Sequence, residues 1–253
     1  MIKTRLIPCL LLKGGGLVKT IRFKDPSYVG DPINAVKIFN DKAVDELIVL
    51  DITASREKKG PAFSTIEDIA SECFMPVAYG GGVTSVEQAR RIVWLGIEKI
   101  VLNNAAIRSM DLVRSVSDQI GASSTVVAID VKKDLLGRYR VYDAVCGKAT
   151  DLDPVAHAER AVAAGAGELF VNDVARDGTR KGFDLDLVRR MTAALDVPVI
   201  VCGGAGTLDD VRAAADAGAS AVAAGSMFVY VGKHRAVMIN YPQPSVLSTL
   251  FQP

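Results

Sequence analysis

"PVAYGGGVTSVEQARRIVWLG", Pro76 to Gly96, and "PVIVCGGAGTLDDVRAAADAG", Pro198 to Gly218, decide how this chain folds. Slid by 122 positions, Pro76, Gly81, Gly82, Arg90 and Gly96 fall on Pro198, Gly203, Gly204, Arg212 and Gly218. Each stretch is a short apolar run, a glycine-rich turn and a segment of helical period, which makes one βα unit. The same offset carries Glu46 onto Glu168 and Asp51 onto Asp173. Self-similarity at one fixed offset marks a molecule made of two like halves.

Working outward, eight short apolar runs can be counted: "RLIPCLL", "ELIVLDI", "MPVAY", "KIVLN", "TVVAIDV", "ELFVNDV", "VPVIVC" and "AVAAG". Segments of helical period stand between them, among them 86–95, 110–119, 154–164 and 208–217. Eight strands alternating with helices in 253 residues is the size of a (βα)8 TIM barrel. The expected organisation is therefore one barrel domain over 1–253, built as two half-barrels. A doubly wound open sheet is the alternative, but no GxGxxG turn follows the first strand. "GRYRVYDAVCGKATDLD", after the fifth run, has the alternation of an inserted hairpin with one wet face, broken on its apolar side by Asp143.

Composition narrows the function. With 30 basic and 29 acidic side chains there is no global field for nucleic acid or a membrane surface, so an anionic ligand must be gripped locally. Cys9, Cys73, Cys146 and Cys202 are scattered without a CxxC pair, and two histidines make no metal cluster. Neither a metal nor another cofactor is expected, and a reducing cytoplasm is the simpler home. The opening "MIKTRLIPCLLL" lacks the long apolar core and cleavage site of a signal peptide, and no run is long enough to span a membrane.

"YGGGVTS" (79–85) and "CGGAGTL" (202–208) each close a strand and open a helix, where glycine lets backbone N–H groups approach a phosphate. In each half a second candidate follows 21 residues after the glycine: Asn103 and Asn104 after Gly82, Gly225 and Ser226 after Gly204. An ordinary βα turn uses the same glycines. A matched pair across one barrel mouth instead suits a ligand phosphorylated at both ends. "NDVARDGTRKGFD" (172–184) is a polar loop in which Asp177 can move a proton while the backbone at Gly178 binds an anion. A plain Asp-Gly turn is the alternative.

At the opposite strand ends Arg5, Glu46, Lys99 and Glu168 precede apolar runs. Two cations and two anions there are expected to pair in a ring closing the barrel floor, as an inert plug or as a gate. No Ser-His-Asp set or P-loop is present, and His157 and His234 are expected to be packing or surface residues.

A shift of 119 lays "LIPCLLLK" over "TVVAIDVK" and Leu11 over Asp130. One half carries a carboxylate where the other carries a hydrocarbon.

These residues together resemble the cyclase subunit of imidazole glycerol phosphate synthase, the HisF family, through "RLIPCL", "GDP" (30–32), "DELIVLDITAS", "GGG", "VVAIDVK", "GAGELFVND", "RDGT" and "GGAGTL". The resemblance implies a (βα)8 barrel that takes ammonia from a separate glutaminase subunit docked on its floor, forming a heterodimer. Its mouth would use that ammonia on a doubly phosphorylated substrate. Position by position, Asp130 matches one of two catalytic aspartates, and Lys19 a basic residue on a mobile loop over the substrate. Gly82, Asn103 and Asn104 match one phosphate site; Asp177, Gly204, Gly225 and Ser226 match the region of the other. Arg5, Glu46, Lys99 and Glu168 match a charged gate to the ammonia path, which favours gate over plug. Glu98 stands where the family sets an acidic residue towards the glutaminase.

The departures are instructive. The family pattern "CLDVKDGR" has an aspartate where this chain has Leu11, and "KGGG" changes the root of the loop that follows. "VGKHRAVMINYPQP" sets prolines where the family continues a final helix. This version resembles HisF-like paralogues associated with bacterial surface-polysaccharide synthesis. Two functions follow: an ammonia-using cyclase or lyase, or a channel handing ammonia to an amidotransferase, a third partner.

Overall fold

The computed structural model describes residues 4–251, so the first three and last two residues of the expected 1–253 span lie outside the described residues. Eight parallel strands form the barrel: β1 Arg5–Lys13, β2 Leu47–Asp51, β3 Val77–Gly80, β4 Lys99–Leu102, β5 Thr125–Lys133, β6 Glu168–Asp173, β7 Val199–Cys202 and β8 Ala221–Ala224. Each pairs in parallel with the next, and β8 with β1, so the sheet closes on itself and the open-sheet alternative falls.

The 122-residue offset runs through the backbone. β3 and β7, and β4 and β8, have equivalent bounds under it. Helix Val86–Trp94 opens on a capping box of Ser85 and Gln88, and helix Leu208–Asp216 on one of Thr207 and Asp210. Helix Pro32–Asp41 is capped by Asp31 and helix Pro154–Ala163 by Asp153, each with proline in the first turn. Ala89 and Ile92 bury one helix stripe, and Val211 and Ala214 bury the matching stripe in the other half.

Two apolar layers result. Outward-facing strand residues and the helices make the larger core, while Ile7, Ile48, Val101, Val126, Phe170 and Ile200 fill the barrel interior. Because side chains alternate along a strand, β6 carries Glu168, Phe170 and Asn172 inward, from floor to mouth.

Both halves add an antiparallel hairpin above the mouth. Gly16–Ile21 and Lys24–Gly30 extend from β1, and Tyr139–Asp143 and Lys148–Ala149 from β5, the expected insertion. Asp143 interrupts its apolar side for a reason: its carboxylate accepts from Asn104 Nδ2 at 3.1 Å, Arg108 Nη2 at 2.6 Å and the Val145 and Cys146 amides. At the C-terminal end a two-residue ribbon and extended chain precede helix Pro244–Leu250. The prolines there redirect the chain without excluding a helix, Pro244 taking its first turn.

Candidate functional site

The strand C-termini enclose a cavity of about 530 Å³. It gathers Asp130, Asp177, Lys19, Gly82, Asn103, Asn104, Gly178, Gly204, Gly225 and Ser226, residues spread from position 19 to 226 of the sequence.

Asp130, at the end of β5, is 7% exposed and accepts from Asn103 Nδ2 at 3.0 Å. Burial raises its pKa to about 7, against the lowering by the Asn103 and Asn172 amides; the charge of Asp177 adds to the rise. A carboxyl held near neutrality can give or take a proton at ordinary pH.

Asp177 is tied to the opposite hairpin. Its Oδ2 accepts from Thr20 Oγ1 at 2.7 Å and from the Phe23 amide at 3.2 Å, and its carbonyl accepts from the Arg22 amide at 3.0 Å. Burial nevertheless raises its pKa. The hairpin crosses so near Gly178, at φ +66°, that a Cβ there would strike the Thr20 carbonyl. The Asp-Gly turn thus sits against the hairpin at the cavity edge.

Lys19 does not lie on a loop: it belongs to strand Gly16–Ile21, whose hydrogen bonds to β1 and to Lys24–Gly30 fix its direction. Its ammonium is buried, donates to the Cys9 carbonyl and fills the space that a side chain on Gly225 would need. Burial lowers its pKa, opposed by the nearby Cys9, Asp177 and Cys202.

The two glycine turns face each other across the cavity. At Gly82, φ +71°, a Cβ would meet the Lys59 carbonyl; at Gly204, φ +120°, it would meet the Gly182 carbonyl. Only glycine fits either place. The Asn104 side chain donates through Nδ2 to Asp143 at 3.1 Å. Leu11 pairs in register with Leu50 of β2 and Val18 of the hairpin and packs on the inner apolar layer. The acid next along β2, Asp51, binds the Thr53 and Ala54 amides through Oδ1.

On the floor, Arg5 bridges Glu46 and Glu168, and Lys99 bridges the same two glutamates at 2.9 Å each. The ring alternates in sign. Burial acts to lower the Arg5 and Lys99 pKa values, but the glutamates outweigh it and raise both. Glu98 lies exposed beside it, in no ion pair among the described residues. His157 is buried in its helix and His234 is exposed, so neither reaches the cavity.

The sequence reading missed Asn172 and Thr20. Asn172 could have been found by counting inward positions along β6 from Glu168; Thr20 could not, because it depends on how the hairpin folds back. No group of three possible metal ligands occurs among the described residues, and no described helix is long and apolar enough to cross a membrane.

Comparison with known proteins bears on this geometry directly. The family described as "Histidine biosynthesis protein" matches residues 5–235. A Pseudomonas aeruginosa protein named provisionally as imidazole glycerol phosphate synthase subunit hisF2 is 48% identical over 248 residues, covering 98% of this chain and 99% of the relative. The chain belongs to the HisF family. A Leptospira interrogans relative, also named provisionally as subunit HisF, is 47% identical over 99% of this chain and all of its own length. Subunit HisF of Petrotoga mobilis is 40% identical, covering 91% of this chain and 92% of its own. Membership of the HisF family agrees with the closed eight-stranded parallel barrel.

Proposed function

We propose that this HisF-type barrel receives ammonia from a glutaminase subunit, HisH-like and docked on its floor as a heterodimer, and uses it at the mouth on a bis-phosphorylated substrate. The observation that carries the reading is the polarity along the axis: a ring of alternating charge below, an apolar interior, and a cavity with the buried acids Asp130 and Asp177 and two opposed glycine turns above. Glu98, exposed beside the floor ring, would face the glutaminase. Gly82, Asn103 and Asn104 would hold one phosphate through backbone N–H groups, and Gly178, Gly204, Gly225 and Ser226 the other. Asp130 is the general acid/base of this scheme, with Asp177 and Lys19 beside the second phosphate.

One observation favours a second reading. Leu11 offers no proton where Asp130 has its half-barrel counterpart, which supports a paralogue that passes ammonia on to an amidotransferase in lipopolysaccharide or surface-sugar synthesis. General acid–base catalysis contributes about 10²–10⁴-fold in rate. Purified chain, given ammonium salt and the histidine-pathway substrate, should therefore turn over slower by that factor than a HisF subunit carrying both aspartates. Equal turnover would sink the second reading; no turnover with intact ammonia transfer to a sugar amidotransferase would sink the first.

A further inference from the structure

Asn172 stands one strand from Asp130 and in register with it, 7% exposed and lining the mouth cavity. Its amide lies against the Asp130 carboxyl and acts to lower its pKa, while Asn103 Nδ2 donates to the same carboxylate at 3.0 Å. A carboxylate only accepts, so the Asn172 NH2 must face Asp130 and its oxygen must face away. That oxygen has no partner among the described residues.

The oxygen is buried, and the surroundings leave it unpaired among the described residues. Its register neighbour on the far side, Cys202, is a buried free thiol in the same inner layer as Cys9. Gly203 keeps the approach open, since a Cβ there would lie 2.9 Å from Asn172 Oδ1. A buried acceptor left unmet costs about 1–3 kcal/mol. A donor entering the cavity would recover that loss, and it would find the Asp130 carboxyl on the other end of the same amide.

We infer that Asn172 is a positioning residue for the nitrogen nucleophile: its Oδ1 accepts an N–H of neutral ammonia while its NH2 holds Asp130 to take the proton. As the nitrogen lone pair forms its bond to the acceptor carbon, one N–H bond breaks and that proton passes to the Asp130 carboxylate. Phe170 and Glu168 lie below Asn172 on the same inward line of β6, so the site is the first polar acceptor above the apolar interior on that strand. The inference rests on the ammonia reading only for the direction from which nitrogen arrives.

The test uses the whole chain with aspartate labelled at the carboxyl carbon, titrated with ammonium chloride at mildly alkaline pH and with sodium chloride as control. The Asp130 signal should move saturably with ammonium and not with sodium. Asn172→Leu should weaken the apparent affinity about tenfold or more, and Asn172→Thr, which keeps an acceptor, should restore part of it. Should Asn172→Leu fail to fold, Asn172→Ala replaces it. No saturable response in the unmutated protein, or an unchanged one in Asn172→Leu, overturns the inference. The delivery reading falls separately: if Lys99→Ala leaves glutamine hydrolysis coupled to ammonia capture in the complex, the channel is wrong while the Asn172 site stands.

Discussion

The two half-barrels share a scaffold and differ in chemistry. Capping boxes, strand bounds, positive-φ glycines and helix stripes repeat at one offset. Yet the strand end that carries Asp130 in one half carries Leu11 in the other, and the hairpin strand that buries the cation Lys19 in one buries the anion Asp143 in its counterpart. The lesson is that features fixed by backbone geometry recur in both halves, whereas side chains at the barrel mouth differ between them. A turn that needs glycine cannot accept a side chain without moving its neighbour. A mouth position facing a cavity has no such constraint.

Restoring the symmetry is the severest way to break this contrast. Leu11→Asp should raise ammonium-dependent turnover of the bis-phosphorylated histidine-pathway substrate by about 10²–10⁴-fold in steady-state kinetics. No gain would mean that the halves differ in more than one group.

Next comes the floor, where both halves supply a glutamate. Lys99→Ala removes a cation shared by Glu46 and Glu168, which are 2% and 4% exposed. Loss of one partner from a buried ion set destabilises by about 3–5 kcal/mol, measurable by urea unfolding. A change below about 1 kcal/mol would place the ring in effective contact with water.

The buried Asp130 carboxyl predicts a pH dependence of similar or smaller size. Asp130 has a pKa raised to about 7 in the fold and an ordinary one when unfolded, so between those values the native chain binds more protons. Stability therefore falls as pH rises from about 4 to about 7, by at most about 4 kcal/mol at 1.4 kcal/mol per pH unit. Asp130→Asn should flatten this part of the stability profile. An unchanged slope would assign it to another group.

The smallest effect tests what the halves share. Ser85→Ala and Thr207→Ala should each lose about 1 kcal/mol of stability, and by equal amounts within a few tenths, because both remove the same capping bond. Unequal losses would show that the surrounding packing is not equivalent.

The strand and helix order, the half-barrel repeat, the inserted hairpin and the glycine turns follow from periodicity and from which residues tolerate positive φ. These are local properties, and 20-residue stretches suffice to express them. The floor ring was also legible, since charges opening apolar strands have nowhere to pair but with one another. What local pattern could not express was the partner of each mouth residue: that Thr20 and Phe23 would take Asp177, that Asp143 would take Asn104, or that Asn172 would hold Asp130 and keep an oxygen unmatched.

By itself the sequence determined that eight strands would close into a barrel and that one strand end would lack its acid. Only the tertiary structure decided how that mouth is wired. Hydrogen bonds between residues 30 to 160 positions apart depend on the register of neighbouring strands and the fold of a hairpin over them, and closure of the barrel sets both.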